Sequence, residues 1–146
     1  MVEIRPIAEA DRPKWQEMRS ALWPDQDPEE LAGELTDFLA DPNQHALGAF
    51  ADDQLIGFAE CSERPWGEEC HTKPVAWLEA IYVAPDFRRA GVSAALVRAV
   101  ETWARGRNLR ELGSDALIDN QVSITVHGRW GFTETQRAVS FRKDLA

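Results

Sequence analysis

The sequence predicts an α/β or α+β domain with a mixed sheet, and three observations predict it. Strand patterns come first along the chain and are followed by strand, helix, strand, helix and strand, an order typical of helices covering a sheet. A long amphipathic helix stands out in the second half. The 146 residues, 44% hydrophobic and 28% charged, suit one globular domain spanning 1–146.

The first half of the chain contains three strand patterns and two helix patterns. A strand is predicted at 3–7 and a helix at about 11–21. Asp27-Pro28-Glu29-Glu30 is typical of a helix start, with an acidic N-cap and proline at the first position. An apolar face follows at helical spacing: Leu31, Leu35, Phe38 and Leu39. Strands at 45–51 and 54–62 form a candidate hairpin, and 63–74 is a predicted loop.

The second half begins with a strand at 75–83 and continues into the clearest helix of the chain. Its apolar stripe is Val92, Leu96, Val100 and Trp103, and it ends near 105–107. Strands are predicted at about 110–114 and at 132–141. Residues 120–129 are ambiguous, because their β-branched side chains favour a strand locally.

Charge and cysteine content exclude several classes of protein. The net charge of −9 argues against a nucleic-acid partner. No segment approaches the length of a membrane span, and the first residues lack the apolar stretch of a signal peptide. Two cysteines, Cys61 and Cys70, are expected to be free thiols in a reducing cytoplasm. Metal binding is not expected, because the Cys and His residues lack a ligand spacing.

The charges are unevenly distributed along the chain. Residues 84–110 carry six arginines against two acids, whereas residues 1–83 have a balance of −12. One region could therefore receive an anion while the rest attracts a cation. The alternative is that most of these charges are solvated helix faces.

A short basic loop lies between the strand at 75–83 and the long helix. It reads Arg88-Arg89-Ala90-Gly91-Val92-Ser93, and it opens the helix. Free backbone N–H groups and the positive end of the helix dipole suit a phosphate or pyrophosphate at such a place. The loop is neither the dinucleotide-binding Gly-x-Gly-x-x-Gly nor a P-loop.

Two motifs in this sequence resemble those of the GNAT N-acetyltransferases. Arg88-x-x-Gly91-x-Ser93 is similar to the family's acetyl-coenzyme A loop, with Ser93 replacing the usual last small residue. The spacing of Asn120, Ser123, His127 and Gly131-Phe132 is similar to its C-terminal motif, with His127 in the place of a tyrosine. The resemblance implies a GNAT-like sheet that is mainly antiparallel, a splayed central strand pair, and a helix at 120–129.

Within the family, the chain most resembles the short aminoglycoside 6'-N-acetyltransferases. Leu22-Trp23, the run 74–83, Ser114-Asp115, Asp119 and Glu134 carry this likeness. The loop before Pro74 is shorter than in the family, and Trp66 takes the place of a tyrosine. The resemblance implies acetyl transfer from acetyl-coenzyme A to the 6'-amine of a cationic aminoglycoside by direct attack in a ternary complex, conferring resistance. It also implies a homodimer.

The resemblance assigns a set of residues to the cofactor. The loop would hold the pyrophosphate through backbone N–H groups, and the strand before it would pair with the pantetheine arm. A backbone N–H near Tyr82 would polarise the thioester carbonyl. The cofactor set is Ile81, Val83, Arg88, Arg89, Ala90, Gly91, Val92, Ser93, Asn120, Ser123 and His127.

The acceptor amine must lose a proton, and acids are the groups that can hold an ammonium and take that proton. Asp115 and Glu79 are the candidates, while an exposed strand end and a salt bridge are the alternatives. His127 could donate a proton to the thiolate or only shape the pocket. The acceptor set is Trp23, Trp66, Glu79, Asp115, Asp119 and Glu134, although Asp119 also suits a helix cap.

Two other functions stay open from the sequence. One is an N-acetyltransferase for another small amine or a polyamine, which an acceptor panel would distinguish. The other is a non-catalytic module that binds acyl-coenzyme A, which would bind the cofactor without turnover.

Overall fold

A computed structural model describes all residues from Met1 to Ala146. In chain order the strands are β1 (Val2–Pro6), β2 (Gln44–Ala51), β3 (Gln54–Arg64), β4 (Val75–Val83) and β5 (Leu112–Ser114). The helices are α1 (Arg12–Leu22), α2 (Pro28–Ala40), α3 (Val92–Gly106) and α4 (Gln121–Arg129). Short 3₁₀ turns occupy Glu9–Asp11 and Pro85–Phe87.

The chain forms two compact units, Met1–Ser114 and Asp115–Ala146. The first contains the five-stranded sheet, in the order β1-β2-β3-β4-β5. Its first three pairings are antiparallel and the last, β4 with β5, is parallel. The predicted mixed, mainly antiparallel sheet with flanking helices is therefore confirmed. The prediction of a single domain over 1–146 stays a prediction.

Helices α1 and α2 pack on one face of the sheet, here called the α1 face. Their start and end signals are local: Asp27 caps α2 by accepting a hydrogen bond from the Glu29 N–H at 3.1 Å, and Pro28 follows at the first position. The buried side chains of this face form one core cluster: Ile7, Trp15, Met18, Leu35, Ala46, Phe50, Leu55, Phe58 and Ala80.

Helix α3 covers the opposite face, here called the α3 face. Its predicted stripe is confirmed, since Val92, Leu96 and Val100 are buried. Ala104 packs with Ala76 of β4 and Leu109 in a second cluster, and Trp103 and Leu112 close it at the side. Each strand therefore presents alternate residues to two differently covered faces.

A β-bulge interrupts the alternation of β4. Ala80 pairs with Glu60, but the next β3 residue, Cys61, pairs with Leu78, so Glu79 is an extra residue. Bulges re-aim side chains and are frequent beside active sites. In a regular strand, residues three positions apart lie on opposite faces. Because of the bulge at Glu79, Trp77 and Ala80 instead lie on the same face, the α1 face.

The second unit contains α4, which confirms the helix at 120–129 despite the local preference for a strand. The Asn120 side chain accepts a hydrogen bond from the Ser123 N–H at 3.1 Å and so caps the helix. The predicted strand at 132–141 is wrong. That segment has no regular structure and pairs with no strand, so its backbone lacks the ladder that a strand requires, and Val139 and Phe141 are largely exposed.

Candidate active site

The second half of β4 has one edge that no strand covers. β5 pairs only with Ala76, Trp77 and Leu78, and then ends. From Glu79 to Val83, β4 pairs with β3 on one side alone. The splayed strand pair expected from the family resemblance is therefore present. An open edge of this kind offers backbone N–H and C=O groups that a ligand can pair with.

The direction of the backbone groups decides which residues face this edge. The N–H of Ala84 donates to the Ile56 carbonyl of β3 at 2.8 Å. Because successive residues of a strand point their backbone groups to opposite sides, those of Tyr82 also face β3, and those of Ile81 and Val83 face the open edge. The backbone groups near Tyr82 that face the open edge are therefore those of its two neighbours, Ile81 and Val83, and an oxyanion donor among them stays a prediction.

The loop that opens α3 is shaped by two residues with positive φ. Arg89 has φ 63° and Gly91, the N-cap of α3, has φ 80°. The left-handed conformation at Gly91 explains the glycine, since other side chains are strained there. Gly91 has no side chain that could cap the first turn, and the backbone N–H groups at a helix start are suited to an anion.

The side chain of Arg88 braces the strand before the loop. Its Nε donates to the Val83 carbonyl at 2.8 Å, and its guanidinium carbon lies 5.4 Å from the centre of the Tyr82 ring. Arg89 and Ala90 are exposed, whereas Val92 is buried and Ser93 half-buried. Arg88 therefore fixes the loop to the strand.

The bulge turns the Glu79 carboxylate onto the α1 face. There Arg64 binds it with two hydrogen bonds, from Nη2 to Oε1 at 2.6 Å and from Nε to Oε2 at 3.0 Å. The Ser62 hydroxyl donates to Oε2 at 2.5 Å. The side chains of Arg64 and Glu79 are 35% and 27% exposed, so the pair is within reach of a ligand.

Trp77 forms the floor under Arg64. The guanidinium carbon of Arg64 lies 4.4 Å from the centre of the Trp77 ring. Trp77 is buried, and two glycines make room for it: a Cβ on Gly113 would lie 2.2 Å from the ring and one on Gly67 2.7 Å. The absence of side chains at these positions leaves room for the indole ring on which Arg64 rests.

A second ion pair lies deeper on the α1 face. Arg19 of α1 donates to both carboxylate oxygens of Glu60, at 2.7 and 3.0 Å, and Trp15 Nε1 donates to Glu60 at 2.9 Å. Glu34 accepts a further bond from Arg19. Burial opposes the charge of Arg19, but the hydrogen bonds from its guanidinium to Glu60 and Glu34 hold the pKa of the group above its ordinary value.

The buried pair packs against Trp23, one of the residues predicted for the acceptor. The Arg19 guanidinium carbon lies 4.9 Å from the centre of the Trp23 ring, and Trp23 is half-buried against the core cluster of the α1 face. Trp23 therefore has one ring face held by a fixed cation. Glu79 and Trp23, two of the residues predicted for the acceptor, both lie on the α1 face.

Trp66 lies on the loop between β3 and β4 and is 57% exposed. Glu111 anchors the far end of this loop, since its carboxylate accepts hydrogen bonds from the Thr72 hydroxyl and the N–H groups of His71 and Thr72. The Thr72 hydroxyl is the largest cause that holds the pKa of Glu111 below its ordinary value. The loop is thus tied at one end while Trp66 stays accessible.

In the second unit, His127 is held by its own helix. Its Nδ1 lies 2.7 Å from the Ser123 carbonyl oxygen, which can only accept, so Nδ1 carries the hydrogen. The ring packs against Trp130 and Phe132 at 5.1 and 5.2 Å between centres. With Nδ1 protonated, His127 can donate a proton from Nε2 only as an imidazolium.

Three predicted acids also belong to the second unit. Asp115 directly follows β5, Asp119 precedes the cap of α4, and Glu134 pairs with Arg137; all three are exposed. The helix cap suggested for Asp119 is instead made by Asn120. Asn120 and Ser123 are therefore partly explained by the start of α4.

The two cysteines of the chain differ in burial. Cys61 is buried, Cys70 is half-buried, and both are free thiols. Burial raises the pKa of Cys61 to about 12.

No group of three or more His, Cys, Asp or Glu side chains is arranged to hold a metal ion. None of the helices has the length and apolar character that a membrane span requires.

Sequence reasoning did not single out the residues that bind Glu79, which are Ser62 and Arg64. It also missed the buried pair of Arg19 and Glu60. Glu60 carries a signal in retrospect, because it is a lone acid within the buried run of β3, and a buried carboxylate needs a partner. Arg64 carries none, because its pairing with Glu79 depends on a bulge.

The model of the acetyltransferase (GNAT) family matches residues 12–132 of the chain. The chain belongs to this family. It is 42% identical to an aminoglycoside N(6')-acetyltransferase type 1 of Klebsiella aerogenes, over 97% of this chain and 96% of that protein.

Solved structures agree with the family in fold. The aminoglycoside 6'-N-acetyltransferase AAC(6')-Ih of Acinetobacter baumannii superimposes with a TM-score of 0.92 at 37% identity, with both chains fully covered. AAC(6')-Iy in complex with the bisubstrate analogue CoA-S-monomethyl-acetylneamine gives 0.94 at 33% identity, with 99% of each chain covered. The open edge of β4 and the loop before α3 are therefore features of a GNAT acetyltransferase chain.

Proposed function

We propose that this chain transfers the acetyl group of acetyl-coenzyme A to the 6'-amino group of an aminoglycoside, and so confers resistance to it. The structural observation that carries the proposal is the open edge of β4 from Glu79 to Val83. This edge is followed by the loop Arg88–Ser93 at the start of α3, here called the anion loop. The acceptor is supported by full-length relatives of that name and by a structure holding a bisubstrate analogue.

The residues present fit coenzyme A in two respects. Ile81 offers its backbone N–H and C=O at the open edge, and Val83 offers its N–H, since the Val83 carbonyl already accepts from Arg88. These groups suit the amides of a pantetheine arm. The first-turn N–H groups beside Gly91, in a loop that contains Arg88, Arg89, Ala90, Val92 and Ser93, suit a pyrophosphate. Acetyl-coenzyme A supplies an activated acyl carbon. The edge residues would orient it, and a backbone N–H of Ile81 or Val83 would stabilise the charge on its carbonyl oxygen.

The transfer forms a C–N bond at the thioester carbon and breaks the C–S bond. The acceptor ammonium loses one proton before the attack and a second as the amide forms. One of the two protons reaches the departing thiolate and the other goes to solvent. We assign Asp115 as the base, Glu79 as the anion facing the amine, and the His127 imidazolium as the acid for the thiolate.

The remaining assignments of the proposal concern the acceptor and the cofactor. Trp23 and Trp66 would wall the sugar rings, because aromatic faces suit both sugars and ammonium groups. Asp119 and Glu134 would add negative charge for a polycation. Asn120 and Ser123 would serve the cofactor beside their part in α4. Attack would occur directly, in a ternary complex of both substrates, within one domain formed by the whole chain.

The state and location of the protein belong to the same proposal. We infer a homodimer, supported by the large apolar side chains that the second unit exposes, Phe141 at 93% and Leu145 at 90%. Light scattering on the purified chain tests this. We place the protein in the cytoplasm, because both of its cysteines are free thiols, as is usual in a reducing compartment.

The test is acetylation of paired aminoglycosides that differ at the 6' position. Purified protein with acetyl-coenzyme A is expected to modify kanamycin or tobramycin, and to leave analogues with a 6'-hydroxyl unmodified, as measured by product mass. Asp115→Asn is expected to lower kcat by about 10²–10⁴, the usual contribution of a general base. Acetylation of polyamines but no aminoglycoside, or cofactor binding without turnover, would contradict the proposal.

A further inference from the structure

The carboxylate of Glu79 is already occupied by donors from its own chain. A carboxylate has about four lone-pair sites on its two oxygens. Oε2 accepts from the Ser62 hydroxyl and from Arg64 Nε, while Oε1 accepts from Arg64 Nη2. A single site therefore remains, on Oε1. This geometry lets Glu79 accept one more hydrogen bond from a defined direction.

Arg64 is itself fixed, so the arrangement does not depend on a flexible side chain. Its guanidinium rests on the Trp77 ring, and the ring lies against positions 67 and 113, where only glycine fits. The two N–H bonds to Glu79 are of the bidentate kind, which constrain orientation as well as distance. Arg64, Ser62 and Glu79 form a rigid clamp, here called the Glu79 clamp.

We propose that Arg64 is a positioning residue for the acceptor: with Ser62 it fixes Glu79 to accept one hydrogen bond from the acceptor ammonium, so that another group removes the proton. The inference rests on the proposed function, because it requires a cationic amine as acceptor. A proton taken by Glu79 would have to fill the last oxygen site or displace a donor, and either change would prevent it from holding the amine.

The clamp also changes what the site recognises. The charge of Glu79 is balanced by Arg64 inside the protein, so the site does not simply attract any polycation. It offers a hydrogen-bond acceptor in one direction, which selects amines that reach it in the right orientation. Loss of Arg64 is therefore expected to weaken productive binding of the acceptor and to leave cofactor binding unchanged.

The chain supplies a matched control for a variant of Arg64. Arg107 pairs with Glu63 at 2.9 Å, with side chains 32% and 25% exposed, and its guanidinium carbon lies 5.3 Å from the Trp103 ring centre. Glu63 is adjacent to Ser62 on β3 and therefore points to the α3 face. The two pairs share chemistry and exposure but lie on opposite faces of the sheet.

The first experiment measures steady-state kinetics of Arg64→Met, Arg64→Lys and Arg107→Met with tobramycin and acetyl-coenzyme A. Arg64→Met is expected to raise the KM for tobramycin by about 10-fold or more, as for the loss of a hydrogen bond to a charged group, with kcat and the KM for acetyl-coenzyme A changed less than about threefold. Arg64→Lys should recover part of the loss. An equal rise in KM for Arg107→Met, or none for Arg64→Met, would overturn the proposal.

The second experiment follows kcat and kcat/KM of Glu79→Gln from pH 5.5 to 9. We expect kcat/KM to fall by about 10- to 100-fold at every pH, with the shape of the profile unchanged. Loss of the acidic limb of the profile, or a fall in kcat of about 10³ with KM unchanged, would identify Glu79 as the base and overturn the proposal. If the wild-type protein acetylates no 6'-amine at all, it is the proposed function that fails.

Discussion

Two arginine–glutamate pairs lie on the α1 face of the sheet, and they differ in depth. Arg19 and Glu60 are 2% and 1% exposed, whereas Arg64 and Glu79 are 35% and 27% exposed. The buried pair satisfies its hydrogen bonds within the protein and joins α1 to β3. The half-exposed pair leaves one oxygen site open toward a ligand. The same chemistry thus stabilises the fold at one depth and, under our proposal, presents a binding group at the other.

The largest expected effect comes from breaking the buried pair. Arg19→Met leaves the Glu60 charge buried with Trp15 as its remaining donor, so unfolding free energy should fall by about 3–5 kcal/mol, as measured by urea denaturation. The double variant Arg19→Met with Glu60→Leu removes both charges and should recover much of that loss. A loss below about 1 kcal/mol for the single variant would mean that the two pairs do not differ in their contribution to stability, despite their different burial.

A smaller effect is expected from the floor of the Glu79 clamp. Gly113→Ala places a Cβ 2.2 Å from the Trp77 ring, so the ring must move. Overpacking of this kind typically destabilises by about 1–3 kcal/mol. The displaced ring should also raise the KM for the acceptor. Gly33→Ala in α2 is the control, because nothing lies within 4 Å of its Cβ position, and it should leave that KM unchanged.

The half-exposed pair should contribute little to stability. Arg64→Met is expected to lower the free energy of unfolding by about 1 kcal/mol or less, as is usual for ion pairs in contact with water. The same urea titrations measure it beside Arg19→Met. If Arg64→Met costs as much as Arg19→Met, the clamp is a structural element first, and its role in binding would need separate support from kinetics.

The reactivity of the two thiols gives an independent comparison of a buried side chain with a half-buried one. Cys61 has no exposed surface and a pKa of about 12, so its thiolate fraction at pH 8 is on the order of 10⁻⁴. Cys70 is half-buried on the loop before β4. The native protein should therefore react with iodoacetamide at Cys70 alone, and the unfolded protein at both, as read by peptide mass.

Features that depend on neighbouring residues were predictable from the sequence, whereas features that depend on pairing between distant segments were not. The stripe of α3 and the cap at Asp27 are local patterns, and both were predictable. The anion loop was recognisable because Arg88 to Ser93 is contiguous. The Glu79 clamp was not, because it depends on a register shift between β3 and β4 that no local pattern encodes. The segment 132–141 has strand-forming residues but lacks a strand partner.

The bulge at Glu79 has a consequence for how this enzyme family can diversify. Leu78 and Ala80 pair with consecutive residues of β3, so Glu79 between them has no pairing partner on that strand. Glu79 belongs to neither core cluster of the sheet. If Glu79 faces the acceptor as proposed, a lineage that replaced it would change the group presented to the acceptor and keep the register of the sheet, so an altered acceptor preference is expected from a single substitution.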